Sequence, residues 1–341
     1  MKIGFHVGHV VGAGRDLQQQ WQDQLQQLRA ARDAGFHFST WGHHWLIAPF
    51  QHFQPFPVLA RLAAEAGPMD LGTGVLLTPL LNPVQVAEDV ATLDHICQGR
   101  FIFGIGLGYR AEEFEAAGIT SSERVGRFEE GLALMKRLWT DEEVTHHGRF
   151  YHVTGARPTA RPFQRPHPRI WVAGMSDPAV RRAGRLGHPF FALGTLAYPA
   201  LERLLHLWRS GLREHGHTEP AEVPILREFF VARTHEEAWR RARSSVEAKY
   251  RGYAEHGLPT ARESLATGVG AMMRDPFIIG SPHECLERLA PFHDLGVTHA
   301  ALRLFWPEME QREVLDMIEL AGATLVPALS RLSMTPPASE P

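Results

Sequence analysis

A (β/α)8 barrel carrying two insertions is the fold this sequence predicts, and three observations predict it. Strand-like and helix-like segments alternate nearly throughout, the signature of a parallel sheet wrapped by helices. The 341 residues fall within the roughly 200 to over 400 that such barrels span. The run Phe36-His-Phe-Ser-Thr-Trp41 follows a long amphipathic helix and ends in the paired imidazoles His43 and His44. In a barrel of this class, reactive groups sit at the carboxyl ends of strands, where the βα-loops converge.

Taken in order, residues 2–8 read as the first strand. Asp16 opens a helix whose Leu17, Trp21, Leu25, Leu28 and Ala31 keep helical spacing, and Gly35 ends it. The second strand covers 36–41, and Pro49, Pro55 and Pro57 lead into a helix over 57–66. The third strand runs from Met69 to Leu77, after which Asn82-Pro83 caps a helix to Gln98. Phe101 to Leu107 forms the fourth strand and 123–139 the next helix. Residues 140–168 break the rhythm with a hairpin over 144–153 and four prolines, so they form an insertion. Arg169 to Ala173 is the fifth strand, followed by a helix over 177–187, a strand over 189–194, a helix over 199–215 and a strand over 223–233. A helix over 235–254 precedes a second insertion or mobile loop, 255–276. Helix 282–295, an eighth strand from Val297 to Phe305 and helix 310–328 close the barrel. The expected organisation is one barrel domain over 1–330 and a disordered Pro/Ser-rich tail over 331–341.

Composition narrows the function. Hydrophobic residues make up 44% and charged residues 21%, enough for a large packed core. A formal net charge of −3 argues against a surface that coats nucleic acid or anionic membrane. No apolar run approaches the ~18 residues of a transmembrane helix. The first residues enter a strand directly, without the layout of a signal peptide. Two cysteines, Cys97 and Cys285, sit in separate helical patterns, so the expectation is a reducing cytoplasm with no disulfide framework.

Chemistry-bearing residues gather at the predicted strand ends. Histidine exchanges a proton near neutral pH, which makes His43 and His44 candidates for acid–base work. Gly104, Gly106 and Gly108 alternate on the fourth strand, and Gly72 and Gly74 on the third; bare strand faces let a flat ligand approach the backbone, or a neighbouring strand pack tightly. The spacing is not a dinucleotide fingerprint, and no helix is expected directly behind it. After the fifth strand, Gly174 permits a turn, Ser176 and Asp177 suit helix capping and Pro178 the first turn. Free N–H groups there could hold a phosphate, although Ser176 as a plain cap explains the pattern as well. Arg124 and Arg127 lie one turn apart; one could reach a phosphate while Glu129 or Glu130 pairs the other. A metal site is not expected, because His6 and His9 would point to opposite faces of a strand and no matching ligand set follows. No Ser-His-Asp layout or nucleophile elbow is visible.

These segments together resemble the bacterial-luciferase-like family of flavin-dependent oxidoreductases over roughly residues 1–330. The resembling motifs are residues 34–44, Leu71-Gly-Thr-Gly-Val75, residues 91–101, Gly104-Ile-Gly-Leu-Gly-Tyr109, Arg127-Phe-Glu-Glu-Gly-Leu132, Ile170-Trp-Val-Ala-Gly-Met-Ser176 and Ile279-Gly-Ser-Pro-His-Glu284. Leu304-Phe-Trp-Pro-Glu-Met309 is similar to the limonene-monooxygenase-like branch. The resemblance implies a barrel that binds flavin mononucleotide (FMN) at the carboxyl ends of the strands. It places His44 at the family's active-site histidine and Gly74-Val75 at a non-proline cis peptide or bulge beneath the flavin ring. It assigns Gly174, Met175 and Ser176 to the phosphate turn, Arg124 to a second phosphate contact and Gly106 to the ring site. Two departures stand out: His43 replaces the acid or amide common before the histidine, which leaves the local proton inventory open and allows a cationic site, and Gly106 replaces the cysteine of true luciferases, so light emission is not implied.

The activity so implied is a two-component monooxygenase. A separate NAD(P)H-dependent reductase supplies reduced FMN, O2 adds to give a C4a-(hydro)peroxyflavin, and a small organic substrate is oxygenated. Trp41, Trp45, Phe50, Phe53 and Trp306 are candidates for the substrate wall, with core packing as the other reading of each. Hydroxylation, epoxidation and Baeyer–Villiger insertion all remain open, and a homodimer is expected. A deazaflavin-dependent hydride-transfer enzyme is the rival reading, disfavoured because those relatives pair an acid with the histidine. A non-catalytic flavin binder is the third.

Overall fold

The computed structural model describes residues 1–7, 14–48, 50–194, 196–255, 277–304 and 309–332. The chain enters β1 (Lys2–His6), and Asp16 then caps α1 (Leu17–Asp33) by accepting the Gln18 and Gln19 N–H groups, as its type and place predict. Gly35, at φ 82°, turns the chain into β2 (Phe38–Trp41). Next come α2 (Pro55–Ala63), β3 (Asp70–Thr73) and β4 (Leu76–Leu77), the last two separated by a cis Gly74–Val75 peptide. Asn82 caps α3 (Pro83–Ile96), and β5 (Phe101–Gly106) follows.

After β5 the structure departs from expectation with a short helix, α4 (Ala111–Ala116), before α5 (Arg124–Thr140). The expected hairpin forms from β6 (Val144–His147) and β7 (His152–Ala156). It is pinned to α5 by the Glu130 carboxylate, which accepts the N–H groups of Arg149, Phe150 and Tyr151 and contacts His146. The remaining units are β8 (Arg169–Gly174), α6 (Asp177–Arg185), β9 (Phe190–Ala192), α7 (Tyr198–Glu214), β10 (Pro224–Val231) and α8 (His235–Glu255). A strand absent from the sequence reading, β11 (Phe277–Gly280), precedes α9 (Pro282–Asp294), β12 (His299–Arg303) and α10 (Gln311–Leu332). The predicted insertion 255–276, apart from its first residue, and the tail from 333 onward lie outside the described residues.

Eight parallel strands close in the order β1-β2-β3-β5-β8-β9-β10-β12, with β12 returning to β1 and β10 bridging to β9. β4 extends the β3 position along β5, and β11 adds to the carboxyl half of β10. Strand parity sets the layers. Phe38, Ile102, Trp171, Phe191, Leu226 and Ala301 meet in one buried cluster and fill the barrel axis. Alternate residues such as Ile3, Phe5, Trp41, Phe101, Phe103 and Ile225 pack outward in the larger cluster formed with the helices. The barrel is therefore a packed core whose carboxyl rim alone is available for chemistry. No described helix is long and apolar enough to cross a membrane. Cys97 and Cys285 are free thiols, and burial pushes both up to about 12.

Candidate active site

One layer above the apolar plug, the rim divides into two sectors. On β1, β2, β10 and β12 the inward positions are polar. His6 Nδ1 lies 2.8 Å from Thr40 Oγ1, and Arg303 Nη1 donates to Glu228 Oε1 at 2.6 Å. Register places Glu228 opposite Arg303, and Arg303 opposite His6. Glu228 is buried, with 1% of its side-chain surface exposed, and Arg303 is partly buried, with 12% exposed. On β4, β5, β8 and β9 the rim is instead small and apolar: Val75, Ala173 and Leu193 border the plug. Val75 also joins Trp45, Leu77 and Phe114 in a small cluster at the mouth.

The glycines of β5 serve this apolar sector by close approach. A Cβ at Gly104 would lie 2.1 Å from the Thr73 carbonyl oxygen, so β3 can cross there only over a bare backbone. A Cβ at Gly106 would lie 2.7 Å from Val75 Cγ2. The space beside Gly106 is thus filled by Val75, and Gly106 shapes a shelf through that side chain. Gly74 lies equally tight on Thr40.

At the end of β2 the two histidines part. His43 is buried, with Nδ1 accepting the Leu77 N–H at 3.2 Å and its ring edge-on to Trp45. Burial, with His44 and His52 nearby, pushes its pKa down to about 4. Of the readings left open for His43, the cationic one does not hold: His43 is a neutral pin between β2 and β4. His44 is about one-fifth exposed, with Nδ1 2.9 Å from Glu113 Oε1 on α4. A carboxylate only accepts, so Nδ1 carries a proton and Nε2 is the ring nitrogen left for a ligand. The same Oε1 accepts the Trp45 N–H at 2.8 Å. Arg110, from the same turn, donates to the Trp45 and Leu46 carbonyls. Glu113 is fully buried, and among the described residues its Oε2 has no hydrogen-bond partner. The rings of Tyr109 and His52 stand edge-on to His44.

Glu113 is the candidate site residue that sequence reasoning missed. The acid found lacking at position 43 comes from another element, 69 positions along the chain, so its absence beside His44 no longer separates flavin from deazaflavin chemistry. Of the aromatic candidates, Trp45 reaches the mouth. Trp41 does not: it is fully buried, faces the helices, and donates from Nε1 to the Phe53 carbonyl. Phe53 packs edge-on to Trp21 of α1, so it too belongs to that outer core. Phe50 is half-buried, and Trp306 lies outside the described residues.

Ser176 occupies the N-cap of α6, yet its side chain makes no capping bond, so the plain capping explanation fails. Asp177 is drawn away by a bidentate pair with Arg203, which holds its carboxyl below the usual range. Met175 is half-buried against the core, and a Cβ at Gly174 would meet Ala179 at 2.7 Å. Arg127 pairs with Glu123, not with Glu129 or Glu130. Arg124 has no ion-pair partner among the described residues and lies near enough to Arg182 to disfavour its charge. An uncapped helix start, an unused hydroxyl, an unpaired guanidinium and an apolar shelf fit a flat cofactor that ends in a phosphate. Among the described residues, no group of three or more histidine, cysteine or acidic side chains could hold a metal ion.

Residues 1–299 match the family described as luciferase-like monooxygenase. An F420-dependent glucose-6-phosphate dehydrogenase of Kineococcus radiotolerans is 30% identical over 304 residues, covering 86% of each chain. The oxygenase component of a flavin-dependent trigonelline monooxygenase of Acinetobacter baylyi is 27% identical over 308 residues, covering 83% of each chain. Among solved structures, a monooxygenase of Streptomyces bottropensis superposes with a TM-score of 0.84 at 25% identity, over 96% of this chain and 100% of the other.

Proposed function

The chain belongs to the luciferase-like monooxygenase family, and from that premise we propose that it is the oxygenase half of a two-component flavin monooxygenase. The observation that carries the reading is the His44–Glu113 pair at the barrel mouth, whose chain neighbours Trp45 and Phe114 belong to the apolar cluster that includes Val75. Reduced FMN, delivered by an NAD(P)H-dependent reductase, would supply the electrons that activate O2 for transfer of one oxygen atom to a small organic substrate. Val75, seated over Gly106, would support the ring, while Gly174, Met175, Ser176 and Arg124 would hold the phosphate. His44 holds or moves a proton at Nε2, and Glu113 keeps the ring in that tautomer. Trp45 and Leu77 help to exclude water from the shelf. The Glu228–Arg303 pair offers donors and an acceptor to a polar end of the substrate. A homodimer in the cytoplasm completes the reading.

One observation favours a second reading, hydride transfer with the deazaflavin F420: a histidine backed by a buried carboxylate suits removal of a proton from an alcohol as hydride leaves its carbon. The deciding experiment mixes the protein with reduced FMN and then with oxygenated buffer. We expect bound flavin to reoxidise more slowly than free flavin, and His44→Ala to change that course while flavin binding persists. Reoxidation identical to free flavin, together with tight F420 binding and hydride exchange with alcohols, would overturn the monooxygenase reading.

A further inference from the structure

Outside the barrel, α5, α6 and α7 enclose a groove of about 310 Å3 that the reading above does not use. Pro178, Arg181, Arg182 and Arg185 line it from one face of α6, Glu129 from α5, and Gly211, Glu214 and His215 from the end of α7. Three guanidiniums therefore meet two carboxylates. Glu129 Oε1 is shared by Arg182 Nε at 3.2 Å and Arg185 at 2.6 Å. Glu214 accepts the Ser210 hydroxyl, and His215 Nδ1 is taken by the Gly211 carbonyl. Arg181 has no ion pair among the described residues, and Arg182 is over nine-tenths buried. Arg124 adds a further positive charge nearby. A buried guanidinium that shares with another the one carboxylate paired with it among the described residues is poorly compensated, because taking a charge out of water is costly unless it is well paired.

We propose that this groove is a second anion site, which binds a phosphate group through Arg181, Arg182 and Arg185. Phosphate oxygens match the planar fork of arginine, and a bound dianion would give each of these guanidiniums its own acceptor. The volume suits a phosphate on a small molecule, not a whole dinucleotide. The phosphate could be free inorganic phosphate or one carried by a small metabolite.

The test uses the whole protein saturated with FMN, so that the α6 phosphate position is filled. Inorganic phosphate, pyrophosphate and glycerol phosphate are titrated against chloride at constant ionic strength, with binding read by calorimetry and thermal shift. We expect phosphate to bind the unchanged chain, and the exposed Arg181→Gln to weaken it at least tenfold without altering the FMN Kd. If the phosphate is carried by a small metabolite, glycerol phosphate binds more tightly than inorganic phosphate; if it is free, inorganic phosphate binds at least as tightly; in both cases Arg181→Gln spares FMN. Phosphate binding no better than chloride, equal binding by Arg181→Gln, or loss only in Arg124→Gln would overturn the proposal. FMN binding is followed separately by fluorescence, so failure of the cofactor reading is distinguishable from failure of the groove.

Discussion

Glu113→Ala removes the acceptor shared by the His44 Nδ1–H at 2.9 Å and the Trp45 N–H at 2.8 Å. Bonds to a charged partner are worth roughly 1.5–3 kcal/mol each, which would give about 3–6 kcal/mol for the pair. Two features lower that figure. Removing Glu113 also removes the cost of keeping a fully buried carboxylate out of water. His44 is one-fifth exposed, so water can replace part of what is lost. The expected net cost of Glu113→Ala is about 2–4 kcal/mol. Glu113→Gln keeps an acceptor but loses its charge, which roughly halves each bond and leaves a cost of about 1–2 kcal/mol. Urea unfolding with an unchanged m-value measures both. Nitrogen NMR of His44 supplies the independent readout, with the Nδ1–H form dominant in the native chain and in Glu113→Gln but mixed in Glu113→Ala. An alanine variant within about 0.5 kcal/mol of the native chain, retaining a single tautomer, would refute the reasoning.

Burial lowers the pKa of His43 and His299 to about 4 and of His188 to about 3. Below pH 6.5 the unfolded chain takes up these protons while the native chain does not until about pH 4, so stability falls as pH falls across that window. At about 1.4 kcal/mol per histidine per unit, the loss between pH 7.5 and 5.5 is about 4 kcal/mol, read from denaturant midpoints; flat midpoints would contradict it. Gly104→Ala drives a methyl into the Thr73 carbonyl and should prevent soluble expression, whereas Gly106→Ala displaces only the Val75 side chain, costs about 1–3 kcal/mol and weakens flavin binding. Equal thermal stability of the two variants would contradict the contrast. Arg124→Gln should raise the Kd for FMN about tenfold, about 1.4 kcal/mol, and leave riboflavin unchanged, in a fluorescence titration; equal effects on both ligands would remove Arg124 from the phosphate site.

The barrel was legible because its signals are local. Asp16 and Asn82 cap the helices their types and positions announce, and Gly35 turns where a left-handed residue is needed. What escaped depended on contacts across the chain. Glu113 sits in Ala-Glu-Glu-Phe-Glu-Ala, three acids on a six-residue helix, and nothing local says which of them is buried beneath a histidine. Strand parity could have placed Trp41 outward, since Phe38 and Thr40 share the inner face. Glu228 and Arg303 carried a usable signal: charges inside otherwise apolar parallel strands, where each buried charge requires a partner. β11 was missed because Phe277-Ile-Ile-Gly280 is only four residues long and abuts a stretch without period.

The turn after β5 grips the loop after β2 at four points: Glu113 takes His44 and Trp45, and Arg110 takes the carbonyls of Trp45 and Leu46. The proton-handling ring therefore answers to a neighbouring unit of the barrel as much as to its own. Recombining βα units among relatives would separate the histidine from its carboxylate whenever a breakpoint falls between positions 46 and 110. Only chimeras that inherit 43–46 and 107–114 from the same parent keep a matched pair, which makes those two segments one unit of exchange.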